Sequence, residues 1–144
     1  MKDLVRRLLE EKKQPIESVD PSTTVRQAID RMNARKIGSL LVMKGDQLVG
    51  IFTERDVLTR VVPRRLDCEK TPVGEVMSRE VVTITSARTV QEAMMVMTDT
   101  RHRHLPVVEN ERVVGLVSIG DVTRWTVRDQ QRTIEDLIDY VRRV

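Results

Sequence analysis

Laid over itself with a shift of 65 residues, this chain matches itself without a gap. Between residues 16–59 and 81–124, 10 of 44 positions are identical. The matches fall on structural landmarks. Thr24-Val25 meets Thr89-Val90, Ala28 meets Ala93 and Met32 meets Met97. Val49-Gly50 meets Val114-Gly115, and Asp56-Val57 meets Asp121-Val122. Two copies of one supersecondary unit account for such a pattern.

Each copy carries the same signals in the same order. An extended segment comes first, at Ile16 to Val19 and at Val81 to Thr85. A helix follows, opened by Thr24-Val25-Arg26-Gln27 in one copy and Thr89-Val90-Gln91-Glu92 in the other. Both are capping boxes, in which hydroxyl and amide or carboxylate satisfy each other's backbone donors. Val25, Ala28, Ile29 and Met32, and likewise Val90, Ala93, Met94 and Met97, keep helical spacing. Two apolar, β-branched runs joined by short polar links then predict a hairpin. A second helix starts near Thr53 or Ser118. The expected unit is β-α-β-β-α, and the fold class is α/β (α+β).

The flanks predict further elements. Residues 1–12 read as an amphipathic helix through Leu4, Val5, Leu8 and Leu9. Residues 13–62 form the first motif, and 63–75 a link punctuated by Pro63 and Pro72. Residues 76–127 form the second motif, and 128–144 a helical tail with Ile134, Leu137, Ile138 and Val141 as apolar positions. A single motif of this size buries too little surface to stand alone. The two copies are therefore expected to pack together around a shared core. Aromatic residues make up only 2% of the chain, so that core must come from Val, Ile, Leu, Met and Ala.

The chemistry concentrates at two corners, Gly50-Ile51-Phe52-Thr53-Glu54-Arg55-Asp56 and Gly115-Leu116-Val117-Ser118-Ile119-Gly120-Asp121. In each, a strand runs into a helix N-terminus. Free amides and the helix dipole there favour anions. Thr53 or Ser118 adds a hydroxyl, and an aspartate one turn on can accept from a ribose diol. A plainer reading stands beside this one. The hydroxyl residues are also good N-caps, and an aspartate in the first turn is also favourable to the helix dipole.

The repeat and its Gly-apolar-apolar-Thr/Ser-x-x-Asp endings resemble the CBS-domain family. So do the strands Ile37-Gly38-Ser39-Leu40-Leu41-Val42 and Arg103-His104-Leu105-Pro106-Val107-Val108. Residues 36–57 are similar to stand-alone bacterial CBS-pair proteins, and the resemblance spans roughly residues 13–127. It implies two CBS motifs related by a pseudo-twofold axis, with a cleft on either side that takes an adenosine ligand such as AMP, ADP, ATP or NAD(H). Carried onto this chain, one site gathers Asp121, Ser118, Arg103, His104 and Lys13, closed by Ile16 and Ile37. The other gathers Asp56, Thr53, Gly38, Ser39 and Arg55, with Met77, Val82 and His102 opposite. The first is expected to bind more tightly, because charge-assisted contacts to phosphate are the stronger ones.

The resemblance also implies a homodimer and an unidentified regulated protein as partners, with no cofactor beyond the regulatory nucleotide. An interaction module with empty clefts is the alternative. His102 and His104 lack the further ligands a metal site needs, so no metal is expected. No nucleophile elbow or phosphate-binding loop points to catalysis. The net charge of +3 is spread along the chain, unlike the basic stripe of a nucleic-acid binder. The single cysteine, Cys68, fits a reducing compartment. Neither a signal-like start nor a membrane-length apolar run is visible, so a cytoplasmic protein is expected.

Overall fold

The computed structural model describes residues 3–143, and Met1, Lys2 and Val144, the ends of the expected terminal helices, lie outside the described residues. The elements follow in the order α1 (Val5–Lys12), β1 (Ser18–Val19), α2 (Val25–Arg35), β2 (Ser39–Lys44), β3 (Gln47–Thr53) and α3 (Glu54–Asp56). Then come α4 (Val90–Thr100), β4 (His104–Glu109), β5 (Arg112–Ser118) and α5 (Ile119–Arg143). A π-helical turn, Val57–Val61, continues α3, and a 3-10 turn covers Val73–Glu75. The chain folds as two units that do not coincide with consecutive halves. One is built on the first repeat and comprises Pro15–Val82 with residues 110–114. The other is built on the second repeat, and takes in the chain up to Gln14, Thr83–Glu109 and the stretch from Gly115 onward.

In the unit of the first repeat, α2 begins where the sequence predicts. Thr24 Oγ1 accepts the Gln27 amide at 3.1 Å, and Gln27 Oε1 accepts the Thr24 amide at 3.1 Å. The first two helical amides, of Val25 and Arg26, donate to the carbonyls of Thr71 and Cys68 at 2.9 and 3.0 Å. These donors have no intrahelical partner, so something must satisfy them. The expected link 63–75 therefore proves to be part of this unit. Val73 and Val76 are fully buried beside Val25, Ala28, Met32, Leu40, Val42 and Phe52.

The sheet of this unit runs β1-β2-β3. Val19 pairs with Val42 in parallel, and Leu40 pairs with Phe52 in the antiparallel hairpin. β1 is shorter than the expected Ile16–Val19. Ile16 is exposed, and an Asx turn ends the strand, with the Ser22 amide on Asp20 Oδ1 at 2.8 Å. The expected second helix is short, because it opens into the π turn after Asp56.

The unit of the second repeat reuses the plan. Thr89 and Glu92 cap α4 reciprocally at 3.0 and 3.3 Å. The amide of Val90 donates to the carbonyl of Asp3 at 2.9 Å, so the chain before α1 does for α4 what residues 68–71 do for α2. The expected strand Val81–Thr85 contracts to one parallel bridge, Ile84 with Val107, the 65-residue counterpart of Val19 with Val42. Val5, Leu8, Val90, Ala93, Leu105, Val107, Val117 and Val122 are buried here. The expected boundary at residues 127/128 falls inside α5, which runs unbroken to Arg143. None of the described helices is long and apolar enough to cross a membrane.

The matched glycines sit against different neighbours. A Cβ on Gly50 would lie 2.5 Å from Met77 Sδ and 2.9 Å from the Ser78 carbonyl oxygen, whereas the nearest neighbour of one on Gly115 is the side chain of Leu9, at 2.7 Å. Backbone cannot step aside as a leucine tip can. Gly50→Ala should lower stability by about 2–3 kcal/mol, and Gly115→Ala by roughly 1 kcal/mol, in urea unfolding. Equal losses would contradict this packing.

Candidate ligand site

Both corners are built by the same hydrogen bonds. The residue just before the first strand of each hairpin supplies a carbonyl to the first amide of the helix. Gly38 accepts from Glu54 at 3.1 Å, and Arg103 accepts from Ile119 at 2.8 Å. The aspartate of each corner turns back onto the last strand amide. Asp56 Oδ2 accepts from Thr53 at 2.9 Å, and Asp121 Oδ2 accepts from Ser118 at 2.9 Å. Ser118 Oγ in turn accepts the Asp121 amide at 3.2 Å. Each aspartate is thus a helix cap first, and what else it can do depends on its remaining lone pairs.

Those lone pairs are used differently in the two units. Asp56 is 3% exposed, and its Oδ1 accepts from the Ser78 hydroxyl at 3.0 Å, with the Arg60 guanidinium 3.8 Å away. Thr53 Oγ1 lies 3.4 Å from Oδ2. Asp121 instead takes the Lys12 ammonium on Oδ2 at 2.7 Å and Arg124 on Oδ1 at 2.9 Å. Lys12 also donates to the carbonyl of Leu116 at 2.9 Å, which fixes it across the corner. Burial opposes ionisation of Asp121. The Lys12 hydrogen bond, the Ser118 amide and the Lys12 charge outweigh it, holding this carboxyl below the ordinary aspartate value.

Asp121 also borders open space. A cavity of about 580 Å³ is lined by Leu8, Glu11, Lys12, Gln14, Asp121, Thr123, Arg124, Trp125, Val127 and Arg128. Its wall is anchored at Trp125, whose indole N–H donates to Asp3 Oδ2 at 2.9 Å while the Arg128 guanidinium stands 5.5 Å over the ring.

The remaining expected residues divide as follows. Arg103 is exposed and His104 partly buried at the start of β4, both in the unit of Asp121. Lys13 does not reach Asp121. It is exposed and takes φ 48° as the left-handed residue that ends α1, and Lys12 stands where Lys13 was expected. Helical spacing carries the reason, since Val5, Leu8 and Lys12 share one face of α1. Ile16 and Ile37 belong to the unit of the first repeat, where Ile37 packs on its core.

Near Asp56, Ser39 is buried at the start of β2, and an added Cβ on Gly38 would lie 3.4 Å from the Glu54 carboxyl. Arg55 is exposed and gives its carbonyl to the Thr59 hydroxyl at 2.8 Å. Met77 is buried and gives its carbonyl to Arg60 at 2.8 Å. Val82 is partly buried in the same unit. His102 belongs to the unit of the second repeat, with a buried Nδ1 that has no hydrogen-bond partner. Sequence reasoning missed Lys12, Arg124, Arg60 and Ser78. Arg124 and Arg60 stand three and four residues after their aspartates, a spacing that places ion-pair partners on one helix face.

Comparison with known proteins identifies the repeat. The CBS domain family signature matches residues 1–63 and 73–128. The mitochondrial CBS domain-containing protein CBSX3 of Arabidopsis thaliana is 38% identical over 123 residues, covering 82% of this chain. The chain spans 60% of CBSX3 and 22% of a second Arabidopsis thaliana relative, CBSCBSPB5, which is 37% identical over 82% of this chain. Among solved structures, the CBS domain NE2398 superposes with a TM-score of 0.85 at 37% identity, over 88% of this chain and 99% of its own. PAE2072 of Pyrobaculum aerophilum, complexed with AMP, superposes with a TM-score of 0.73 at 27% identity, over 82% of this chain and 88% of its own.

Two outcomes test the corner geometry. Asp56→Ala strands the Thr53 amide and the Ser78 hydroxyl in a dry site and should cost about 2–4 kcal/mol in urea unfolding. Lys12→Met should cost about 1–3 kcal/mol near neutral pH. The folded state depresses the Asp121 acidity constant, so its contribution is complete above the ordinary aspartate value of about 3.9 and is lost as pH falls through the lower folded value. The stability gap between wild type and Lys12→Met should therefore narrow below about pH 3. A gap constant from pH 2 to 7 would refute the ion pair.

Proposed function

The chain belongs to the CBS-domain family, and from that premise we propose that it is a regulatory module, not an enzyme, that takes an adenosine nucleotide at the Ser118–Asp121 corner. The carrying observation is that a capped aspartate and three cations, Lys12, Arg124 and Arg128, border one cavity of about 580 Å³. A volume of that size suits a small-molecule site. The AMP carried by PAE2072 supports the choice of ligand class.

The chemistry follows from what Asp121 already holds. A carboxylate offers about four lone-pair sites. Ser118, Lys12 and Arg124 take three of them. Ribose hydroxyls are neutral donors, and they enter by displacing Lys12 or Arg124 from an oxygen while the Ser118 amide stays in place. The displaced cation then meets the phosphate, so its charge stays paired. With Glu11 and Asp121 against the three cations, the lining carries a net +1, which favours an anionic ligand. Asp56 lacks this facility, because it is 3% exposed, it bonds the neutral Ser78 and Thr53, and the Arg60 guanidinium 3.8 Å away is held by the Val76 and Met77 carbonyls. Tight binding is therefore assigned to Asp121 alone. A partner protein reads occupancy through the different affinities of the ligand for the free and bound arrangements of the corner.

Calorimetry with AMP tests this reading, alongside melting curves over AMP, ADP, ATP and NAD(H). The wild type should melt higher with rising ligand, because only the folded state binds. Asp121→Ala should lose at least tenfold in affinity, and Ser78→Ala should keep wild-type affinity. Silence from every adenosine ligand would favour an interaction module with empty clefts.

A further inference from the structure

Helix α5 outgrows the unit it starts in. Val122 and Trp125 are its buried residues, and beyond them Val127, Ile134, Leu137, Ile138 and Val141 stand 45–70% exposed. We propose that this segment pairs with the same segment of a second copy of the chain, in parallel and in register, as a short two-stranded coiled coil. The inference does not depend on nucleotide binding.

The positions of the charges give the first argument. Take Val127 as position a of a heptad. Then Ile134 and Val141 are also a, Gln130 and Leu137 are d, and Ile138 and Tyr140 flank them at e and g. All eight charged residues of the stretch from 127 to 143 fall at b, c and f. None falls on the face that carries the apolar residues. A helix solvated on all sides has no reason to segregate its charges in this way.

The core residue types choose the occupant and the orientation. β-Branched residues at a with leucine at d favour two parallel strands. Here the a positions are Val, Ile and Val, with Leu137 at d. In-register pairing also sets Gln130 against its own copy, where two amides can bond each other. Antiparallel pairing would set Gln130 against Ile134 or Val141 and leave the amide facing an apolar side chain.

Charge and area agree with self-association. Over this stretch Arg128, Arg132, Arg142 and Arg143 balance Asp129, Glu135, Asp136 and Asp139, so a second copy meets no net repulsion. The exposed apolar face amounts to roughly 600 Å² per chain, as large as the largest patch a monomer ordinarily shows. Two such faces together remove about 1,200 Å² from water, the lower end of a specific interface.

Light scattering on the full chain, with a subunit mass of 16.6 kDa, reads the assembly. The double substitution Ile134→Glu with Leu137→Glu should halve the measured mass. Asp139→Ala, at an f position, should leave the mass unchanged. Asp139→Ala should keep the wild-type melting transition, and the double variant should still melt cooperatively, at a temperature that no longer rises with protein concentration, because these side chains lie outside the buried core. Orientation is read separately, by oxidising Val141→Cys in a Cys68→Ser background. Parallel pairing gives a covalent dimer from this one variant. A wild-type monomer at high micromolar concentration, an unchanged mass in the double variant, or cross-linking only when Val127→Cys is mixed with Leu137→Cys, or Val141→Cys with Gln130→Cys, would overturn the proposal. An AMP-induced melting shift that persists in the double variant would keep this interface separate from the nucleotide site.

Discussion

Each repeat hangs on a carboxylate that reaches back one turn to the last amide of a strand. That bond closes the corner where an extended chain becomes helical, and it satisfies a donor that neither ladder nor helix can serve. It also consumes only part of the carboxylate. The distances are the same in both copies, 2.9 Å at Thr53 and at Ser118, so the corner is a fixed frame. What differs is the company each aspartate keeps on its other lone pairs.

Part of that company, Ser78 and Lys12, comes from outside the matched spans 16–59 and 81–124. Ser78 and the residues before it belong to the unit of the first repeat, and Lys12 with α1 belongs to the unit of the second. One lead segment brings a neutral hydroxyl and seals its aspartate. The other brings an ammonium beside a cavity and leaves its aspartate exchangeable. Two nearly identical frames thus acquire different chemistry without a change in the motif itself. The lead segments also complete the helix starts, through Thr71 and Cys68 at α2 and through Asp3 at α4.

Local signals were fully legible in the sequence where a single turn decides the outcome. Thr24 with Gln27 and Thr89 with Glu92 predict both helix starts, and the 65-residue shift predicts matching strand registers. The cap role of the two aspartates was visible only as one of two readings, because sequence cannot count a carboxylate's occupied lone pairs. Lys12 was missed in favour of its neighbour, although the face shared by Val5 and Leu8 points to it. Residues 63–75 look like a link because Pro63 and Pro72 interrupt them, yet Pro72 bridges Thr24 and Val73 is fully buried. Whether the stripe of α5 is covered depends on tertiary packing, which periodicity does not report.

The assignment of α1 to the second repeat carries a practical consequence. A tag, fusion or proteolytic cut placed ahead of Val5 acts next to Asp3, the residue that both receives the first amide of α4 and holds the Trp125 indole. Trimming as far as Lys12 would remove the ammonium from a corner more than 100 residues away in sequence. Trimming an apparently dispensable leader would thus rewire the acidic corner of the distant copy, and a fragment designed from the repeat boundaries alone would contain the motif without its counter-ion.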